Sequence, residues 1–273
     1  MNTMTQKLEK IDPTCVPFLE GKLSRIVIDD AICENLKSQE KPPLFIIGFA
    51  GVGLIGTILA NELVEQLKMK QIGHVLSEDL PPITVFYDGV LKHPFRLYYQ
   101  EKFNLVVSLC EVPFNPGSYS DLARTLMNWA LSQGIQDVLC VQGMADESIA
   151  VRDTPSPVFA AAEEEILEKI LAHGVKRPPK GLIMGAEAAI LNECLNNQLN
   201  GAVFLTPANP HLPSPEGAAS ILEKMSDVYG FPIKLDGLLK QSSEIKQRLL
   251  ELQKQTNNVH SQNLPIAGRN IYS

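Results

Sequence analysis

The chain has 273 residues, 45% of them hydrophobic, and carries a net charge of −7 with an isoelectric point near 5.3. This hydrophobic content is enough to build one large α/β domain, and the acidic balance argues against a nucleic acid partner, which needs clustered Lys and Arg. No apolar run approaches the roughly 20 residues of a membrane-spanning helix. The first residues also lack an apolar signal region, so we expect a cytoplasmic protein with no membrane partner.

The first half of the chain alternates predicted strands and helices after an N-terminal arm at residues 1–22. An apolar run without alternation at residues 43–49 indicates a strand buried on both faces. Leu and Ile at helical spacing then predict a helix over residues 54–68. Asp88-Gly89 predicts a hairpin turn. Further strands are predicted at residues 23–28, 72–76, 83–87, 91–100 and 103–110.

The second half repeats this rhythm. Predicted helices cover residues 119–132, 163–173, 186–196 and 214–229, and predicted strands cover residues 137–142, 158–162, 182–184 and 201–206. Ser214 followed by Pro215 is typical of a helix start. Alternating strands and helices predict a three-layer α/β fold, with a mostly parallel sheet and helices on both faces, in a core over residues 23–234.

Residues 235–256 have a different pattern, typical of an amphipathic helix. Their apolar side chains follow the three-four spacing of a helix seam and alternate with charged and amide residues. The seam consists of Leu238, Ile245, Leu249 and Leu252. Such a helix either packs on its own domain or associates with further copies, and the pattern leaves both open. Residues 257–273 are polar and aperiodic, which predicts a flexible tail.

The tail ends in a hydrophobic residue, a tyrosine and a last residue of any kind: Ile271, Tyr272 and Ser273. It therefore offers an apolar side chain, an aromatic ring with a hydroxyl and a terminal carboxylate in a fixed order. A pocket with a basic residue can capture all three at low ordering cost. The alternative is a frayed chain end without a partner.

A glycine loop follows the strand at residues 43–49. Gly51, Gly53 and Gly56 form G-x-G-x-x-G between a buried strand and a helix, and Glu78 follows the next predicted strand. This is the context of a dinucleotide-binding fingerprint, in which the helix N-terminus holds a pyrophosphate. The same glycines also suit a sharp strand-to-helix turn that needs a positive φ and close packing, with no ligand at all.

Little else in the sequence indicates catalysis or metal binding. No nucleophile elbow, CxxC or HExxH pattern occurs, and the five histidines are scattered. Asp146, Glu147 and Asp153 crowd a polar loop, where carboxylates are usually solvated. The five cysteines include Cys110 and Cys140 in apolar runs, which predicts reduced core thiols.

The loop extends beyond the fingerprint and reads G-F-A-G-V-G-L-I-G from Gly48 to Gly56. This resembles the G-F-P-G-V-G-x-x-G signature of the proteasome-assembly-chaperone family, relatives of the second eukaryotic assembly chaperone with archaeal members. Ala50 replaces the usual proline of that signature. The segments 79–82, 181–188, 203–207 and 213–215 also resemble the family, so the likeness spans roughly residues 20–240.

The resemblance implies a binding protein without a cofactor, not an enzyme. It implies a homo-oligomer, with three to five subunits expected, and proteasome α-subunits or the 20S α-ring as the partner. Ile271, Tyr272 and Ser273 occupy the positions of the terminal motif that inserts into pockets between α-subunits. Two readings stay open beside it: an NAD- or ATP-binding enzyme that uses Gly51, Gly53, Gly56 and Glu78, and a scaffold for another partner.

Overall fold

A computed structural model of the chain describes residues 24–28, 36, 41–148 and 156–237. These residues form ten strands, listed in chain order: β1 Ser24–Ile28, β2 Leu44–Gly48, β3 Lys70–Ser77, β4 Val85–Tyr87, β5 Val90–Lys92, β6 Phe95–Gln100, β7 Leu105–Cys110, β8 Asp137–Ala145, β9 Phe159–Ala162 and β10 Asn200–Ala208. The α-helices within the same residues are α1 Ile55–Gln66, α2 Tyr119–Ser132, α3 Glu164–Leu171, α4 Ala186–Asn197 and α5 Pro215–Tyr229.

Eight of these strands form one sheet, in the order β1-β3-β6-β7-β2-β8-β10-β9. The pairs β7–β2, β2–β8 and β8–β10 are parallel, and every other pair in this sheet is antiparallel. The four central strands are mostly apolar and buried because helices cover both of their faces. The predicted parallel arrangement therefore describes the centre, and the whole sheet is mixed.

Helices lie on both faces of this sheet, which confirms the three-layer α/β fold. One core joins α1, α3 and α5 to the sheet, and the other joins α2 and α4 to the opposite face. The alternation of β2 shows how one strand serves both cores, since Ile46 belongs to the first while Phe45 and Ile47 belong to the second.

Two predicted strands differ from the structure. The expected strand at 91–100 is divided at His93-Pro94 into β5, which pairs with β4 in a separate two-stranded sheet, and β6, which joins the main sheet. Proline lacks the N–H that a continuous ladder needs, which explains the break. The expected strand at 182–184 is an irregular segment, in which Leu182 is 91% and Met184 73% exposed.

Several predicted segments lie outside the described residues: the arm at 1–22, the helix seam from Leu238 onward and the tail at 257–273. Within the described part, no helix combines the length and the apolar character needed to cross a membrane.

Candidate functional site at the carboxyl edge of the sheet

The glycine loop connects β2 to α1 at the carboxyl edge of the parallel strands. A short 3-10 turn, Val52–Leu54, precedes the helix, and the N–H of Leu54 donates to the carbonyl oxygen of Gly51 at 2.9 Å. Gly53 and Leu54 have φ values of 65° and 52°, so two successive residues adopt the left-handed region. Glycine takes this conformation without cost, and Leu54 is held in it although it has a Cβ.

Three glycines of the loop are required by packing. A Cβ on Gly48 would lie 2.7 Å from the Cβ of Ala60, and one on Gly53 would lie 2.8 Å from the Cβ of Ala208. A Cβ on Gly56 would lie 2.7 Å from the carbonyl oxygen of Phe49. Each distance is too short for any side chain, so these glycines bring strand, loop and helix backbones into contact.

The fourth glycine, Gly51, is exposed, and a Cβ there would come no closer than 3.6 Å to Oε1 of Glu187. The rest of the loop is covered by its own protein. Gly53, Leu54, Ile55 and Gly56 are buried, and the Gly53 carbonyl oxygen accepts a hydrogen bond from the Ser214 N–H at 2.8 Å. The backbone that would approach a pyrophosphate in a dinucleotide site is therefore occupied by internal contacts.

Aromatic rings fill the crevice between the carboxyl ends of β2 and β7. The helices that follow these strands, α1 and α2, lie on opposite faces, which makes this the position where open α/β sheets usually bind ligands. Here Phe49 packs edge-on against Phe114 at 5.6 Å and Phe95 at 6.0 Å between ring centroids. The Thr57 hydroxyl donates to the Cys110 carbonyl oxygen at 3.2 Å across the same junction.

Glu78 lies apart from the glycine loop. It follows β3, and β6 and β7 lie between β3 and β2 in the sheet. Three strand spacings amount to roughly 14 Å, whereas a ribose-binding carboxylate follows a strand that neighbours the loop's own strand. The structure therefore does not bring Glu78 together with Gly51, Gly53 and Gly56.

A buried carboxyl group that the sequence analysis missed lies beneath Gly51. Glu187 in the first turn of α4 is 4% exposed, and burial raises the pKa of its carboxyl to about 7. The Gln142 amide donates to Glu187 Oε2 at 3.3 Å and to the Met184 carbonyl oxygen at 2.8 Å. A single Glu in the first turn of a helix is usually exposed, so the sequence did not predict that Glu187 is buried.

A second missed feature is a buried ion pair. Arg96 on β6 and Glu111 after β7 are joined at 2.6 Å, and both side chains are 1% exposed. Arg96 also donates to the Tyr98 hydroxyl at 2.7 Å, and the Tyr87 hydroxyl donates to the other oxygen of Glu111. Tyr87 belongs to β4, so the network ties the small hairpin of β4 and β5 to the main sheet.

Other candidate groups are accounted for or lie outside the described residues. Cys110, Cys140 and Cys194 are buried and free, which confirms the prediction of core thiols for the first two. Among residues 24–28, 36, 41–148 and 156–237, no group of three His, Cys, Asp or Glu could hold a metal ion. Asp146 accepts hydrogen bonds from Ser148, while Asp153 lies outside the described part of the chain.

The predicted partner-binding residues cannot be placed. Ile271, Tyr272 and Ser273, and the seam residues Leu238, Ile245, Leu249 and Leu252, all lie outside the described residues. Their roles in docking and in oligomer formation stay predictions.

The fold is a three-layer α/β architecture whose glycine loop packs against other residues of the same chain. The model of the PAC2 family matches residues 45–253. The chain therefore belongs to the PAC2 family.

Two solved structures and one further protein are similar to this chain. A Thermoplasma acidophilum protein of unknown function is 32% identical, with a TM-score of 0.76 over 85% of this chain and 94% of that one. Pyrococcus furiosus PbaA, described as an archaeal homolog of proteasome-assembly chaperone, is 25% identical, with a TM-score of 0.75 over 87% of this chain and 99% of PbaA. An uncharacterized protein of Methanocaldococcus jannaschii is 24% identical over 81% of this chain and 90% of its own length.

Proposed function

We propose that this protein is a proteasome assembly chaperone or proteasome-binding factor, and that it acts as a homo-oligomer whose tails dock on the 20S α-ring. The observation that carries the proposal is the likeness to PbaA over nearly the whole of both chains, together with membership of the PAC2 family. The proposal places the protein in the cytoplasm and assigns it no catalytic step and no cofactor.

Docking would use the three terminal side chains in sequence. Ile271 would fill an apolar slot, the Tyr272 ring would pack on the pocket wall, and the terminal carboxylate of Ser273 would pair with a lysine of the α-ring. One tail should bind weakly, because three side chains must offset the entropy of ordering the linker. Several tails on one oligomer would gain roughly 10²–10⁴-fold through effective concentration.

The packing of the glycine loop weakens the nucleotide-binding alternative. Its backbone contacts the protein's own Ala60, Phe49 and Ala208, and aromatic rings fill the neighbouring crevice. We therefore infer that Gly48, Gly51, Gly53 and Gly56 form a structural turn. A shift of the thermal midpoint on addition of NAD or ATP would contradict this inference.

Size-exclusion chromatography with light scattering tests the tail. The intact chain, its terminus verified by intact mass, is run with recombinant 20S α-subunits beside a truncation that lacks Ile271–Ser273. We expect only the intact chain to co-elute. Tyr272→Ala should also lose co-elution, because the ring is removed.

Ser273→Ala is the matched control and should retain binding, because the motif accepts any last residue and the carboxylate remains. Co-elution that survives the truncation contradicts tail docking. If neither chain co-elutes, the α-ring is not the partner.

A further inference from the structure

A large cavity opens at the amino edge of the parallel strands, the edge opposite the glycine loop. It has a volume of about 730 Å³, which lies within the range of ligand pockets. Leu44, Leu105 and Asp137 are the first residues of the neighbouring strands β2, β7 and β8, and all three line the cavity. None of the groups discussed for the glycine loop belongs to it, so it is a separate site.

Three lysines from different segments line this cavity: Lys41 before β2, Lys102 before β7 and Lys169 on α3. Within the described part of the chain, none of them forms an ion pair. Lys102 Nζ lies 5.4 Å from the ring centroid of Phe103, and Lys169 Nζ lies 4.5 Å from that of Tyr229. Aromatic faces attract a cation without neutralising its charge, so these ammonium groups stay available to an anion.

The rest of the lining is apolar and acidic. Asp137 accepts a hydrogen bond from the Asn200 amide at 2.8 Å, and Glu101 is exposed and pairs with no cation among the described residues. Three positive and two negative side chains leave the lining with a net positive charge. Val228 and Phe231 extend the wall that the other aromatic rings begin. The cavity therefore suits an anion that is joined to apolar and aromatic groups.

The chain leaves the described part of the structure at the same edge. Phe231, which follows α5, lines the cavity. The Gln66 side chain at the end of α1 accepts from the Lys234 N–H at 2.8 Å and donates to the Lys234 carbonyl oxygen at 2.7 Å. Leu235 packs against the core that α1, α3 and α5 share. These contacts hold the point from which residues 238–273 continue close to the cavity.

We propose that this cavity is a binding site for the C-terminal end of the same chain, with Tyr272 and the Ser273 carboxylate as the groups that enter it. The Tyr272 ring packs against the aromatic wall, and the carboxylate pairs with the lysines. Ile271 lies against the neighbouring apolar side chains. The tail thus offers an apolar residue, an aromatic ring and an anion to a cavity that has a partner for each.

The segment beyond the described residues is long enough to return to the cavity. If residues 238–256 form the predicted helix, it extends about 28 Å from the exit point. Residues 257–273 span up to about 56 Å when fully extended. The end of the chain therefore reaches the cavity whether or not that helix forms.

Attachment to the same chain lets a weak contact hold the tail. A flexible linker gives an effective concentration of about 1 mM, so an intrinsic Kd of about 0.1 mM would leave about nine tails in ten bound. A site that is partly open to solvent can therefore still be occupied.

This inference deepens the proposed function and rests on it for its role. A tail held in the cavity is not free to dock, so the apparent affinity for the α-ring would be about tenfold lower than that of a free tail. The α-ring and the cavity compete for the same three residues. The test uses the protein alone, so its failure is distinguishable from a failure of α-ring docking.

Carboxypeptidase Y tests the proposal, because it shortens a free chain end residue by residue and intact mass follows the loss. The unaltered chain is compared with a cavity variant, Lys102→Glu with Lys169→Glu, and with a control, Lys176→Glu with Lys180→Glu. All four lysines are exposed, and the control pair does not line the cavity. Both variants change the net charge equally and keep the tail sequence.

We expect the cavity variant to lose its terminal residues about tenfold faster than the unaltered chain, because about nine tails in ten are released. Its rate should equal that of a synthetic peptide of residues 262–273, and the control should keep the slow rate. Equal rates in the unaltered chain and the cavity variant overturn the proposal. A control that is as fast as the cavity variant overturns it as well, because the effect would then be one of net charge.

A photo-crosslinking benzoylphenylalanine at position 272 provides an independent check, because it keeps an aromatic ring there. We expect a crosslink to residues 101–105 or 228–231, in a product that keeps the monomer mass of 30.0 kDa. The cavity variant should lose this crosslink. A crosslink to another surface, no crosslink, or a product of twice the monomer mass overturns the proposal.

Discussion

Gly48 and Gly51 lie three residues apart in one loop and have opposite tolerance for a side chain. A Cβ on Gly48 would lie 2.7 Å from the Cβ of Ala60, while one on Gly51 would have 3.6 Å to its nearest neighbour. Neither has a positive φ, so the difference is one of space and not of backbone strain. We expect Gly48→Ala to reduce the free energy of unfolding by about 1–3 kcal/mol through overpacking.

Gly51→Ala is the matched control for this prediction and should change the free energy of unfolding by less than about 0.5 kcal/mol. Urea denaturation of both variants measures the difference. Equal stability of the two would show that the loop does not pack as described. A nucleotide-dependent rise in stability that Gly51→Ala abolishes would instead favour the ligand-binding interpretation.

Single residues show where sequence patterns stop being informative. The glycine spacing predicted a sharp strand-to-helix turn, because such a turn needs residues without a Cβ. It could not separate a packed turn from a phosphate site, since that depends on what covers the loop. The burial of Glu187 and the Arg96–Glu111 pair were not predictable either, because each depends on residues distant in sequence.

At the scale of elements, local signals located helices well. The helix predicted from Ser214 and Pro215 begins at Pro215, with the Ser214 hydroxyl accepting from the Gly217 N–H at 3.3 Å. Helix α2 has the bounds that its spacing predicts, and Gly134 follows its end with a φ of 74°. Helix caps and helical periodicity depend on a few neighbouring residues, so they can be predicted without knowledge of the fold.

The Tyr87 hydroxyl is one of the groups that attach the hairpin of β4 and β5 to the main sheet. Tyr87 donates to Glu111, and Tyr87→Phe removes this donor while keeping the ring. We expect a loss of about 1–3 kcal/mol in the free energy of unfolding, because a charged acceptor is left with one partner fewer. Hydrogen exchange should also become faster in Val85–Lys92 than in the rest of the sheet, because the hairpin is released locally.

Tyr229→Phe is a suitable control for the Tyr87 variant. The Tyr229 hydroxyl is buried and has no hydrogen-bond partner among the described residues, so its removal should be neutral or slightly stabilising. If the two variants lose equal stability, the Tyr87 hydroxyl has no special role. If exchange in the hairpin is unchanged, the Arg96–Glu111 network does not hold it.

At the scale of the whole molecule, the class of fold was predictable and the strand order was not. Alternating strands and helices indicate helices on both faces of a sheet whatever its order. The insertion of β3 and β6 on one side of β7, which separates Glu78 from the glycine loop, rests on long-range pairing. This strand order argues against the candidate nucleotide site, because it separates Glu78 from the glycine loop. No local sequence pattern could have predicted that separation.

Stability as a function of pH is also a property of the whole molecule, and a half-buried histidine and a buried glutamate act on it in opposite directions. Burial, with His93 and Arg25 nearby, lowers the pKa of His74 to about 4, so the folded state keeps this imidazole neutral. The free energy of unfolding therefore decreases as the pH falls from about 6.5 toward 4, because the unfolded state binds a proton on this imidazole before the folded state does. Burial raises the pKa of Glu187 to about 7, so the folded state prefers the protonated carboxyl.

The sign for Glu187 follows from its raised pKa. Below about pH 4.5 the carboxyl is protonated in both the folded and the unfolded state and costs nothing. As the pH rises toward 7 the unfolded state ionises first, so stability falls, and above pH 7 the full cost remains. Glu187→Gln stays neutral, so we expect it to be more stable than the unaltered chain by up to about 3 kcal/mol near pH 8 and by almost nothing near pH 4. Urea denaturation across this range isolates the carboxyl, because His74 is common to both proteins. A difference for Glu187→Gln that does not change over this pH range would show that this carboxyl is not buried in the folded protein.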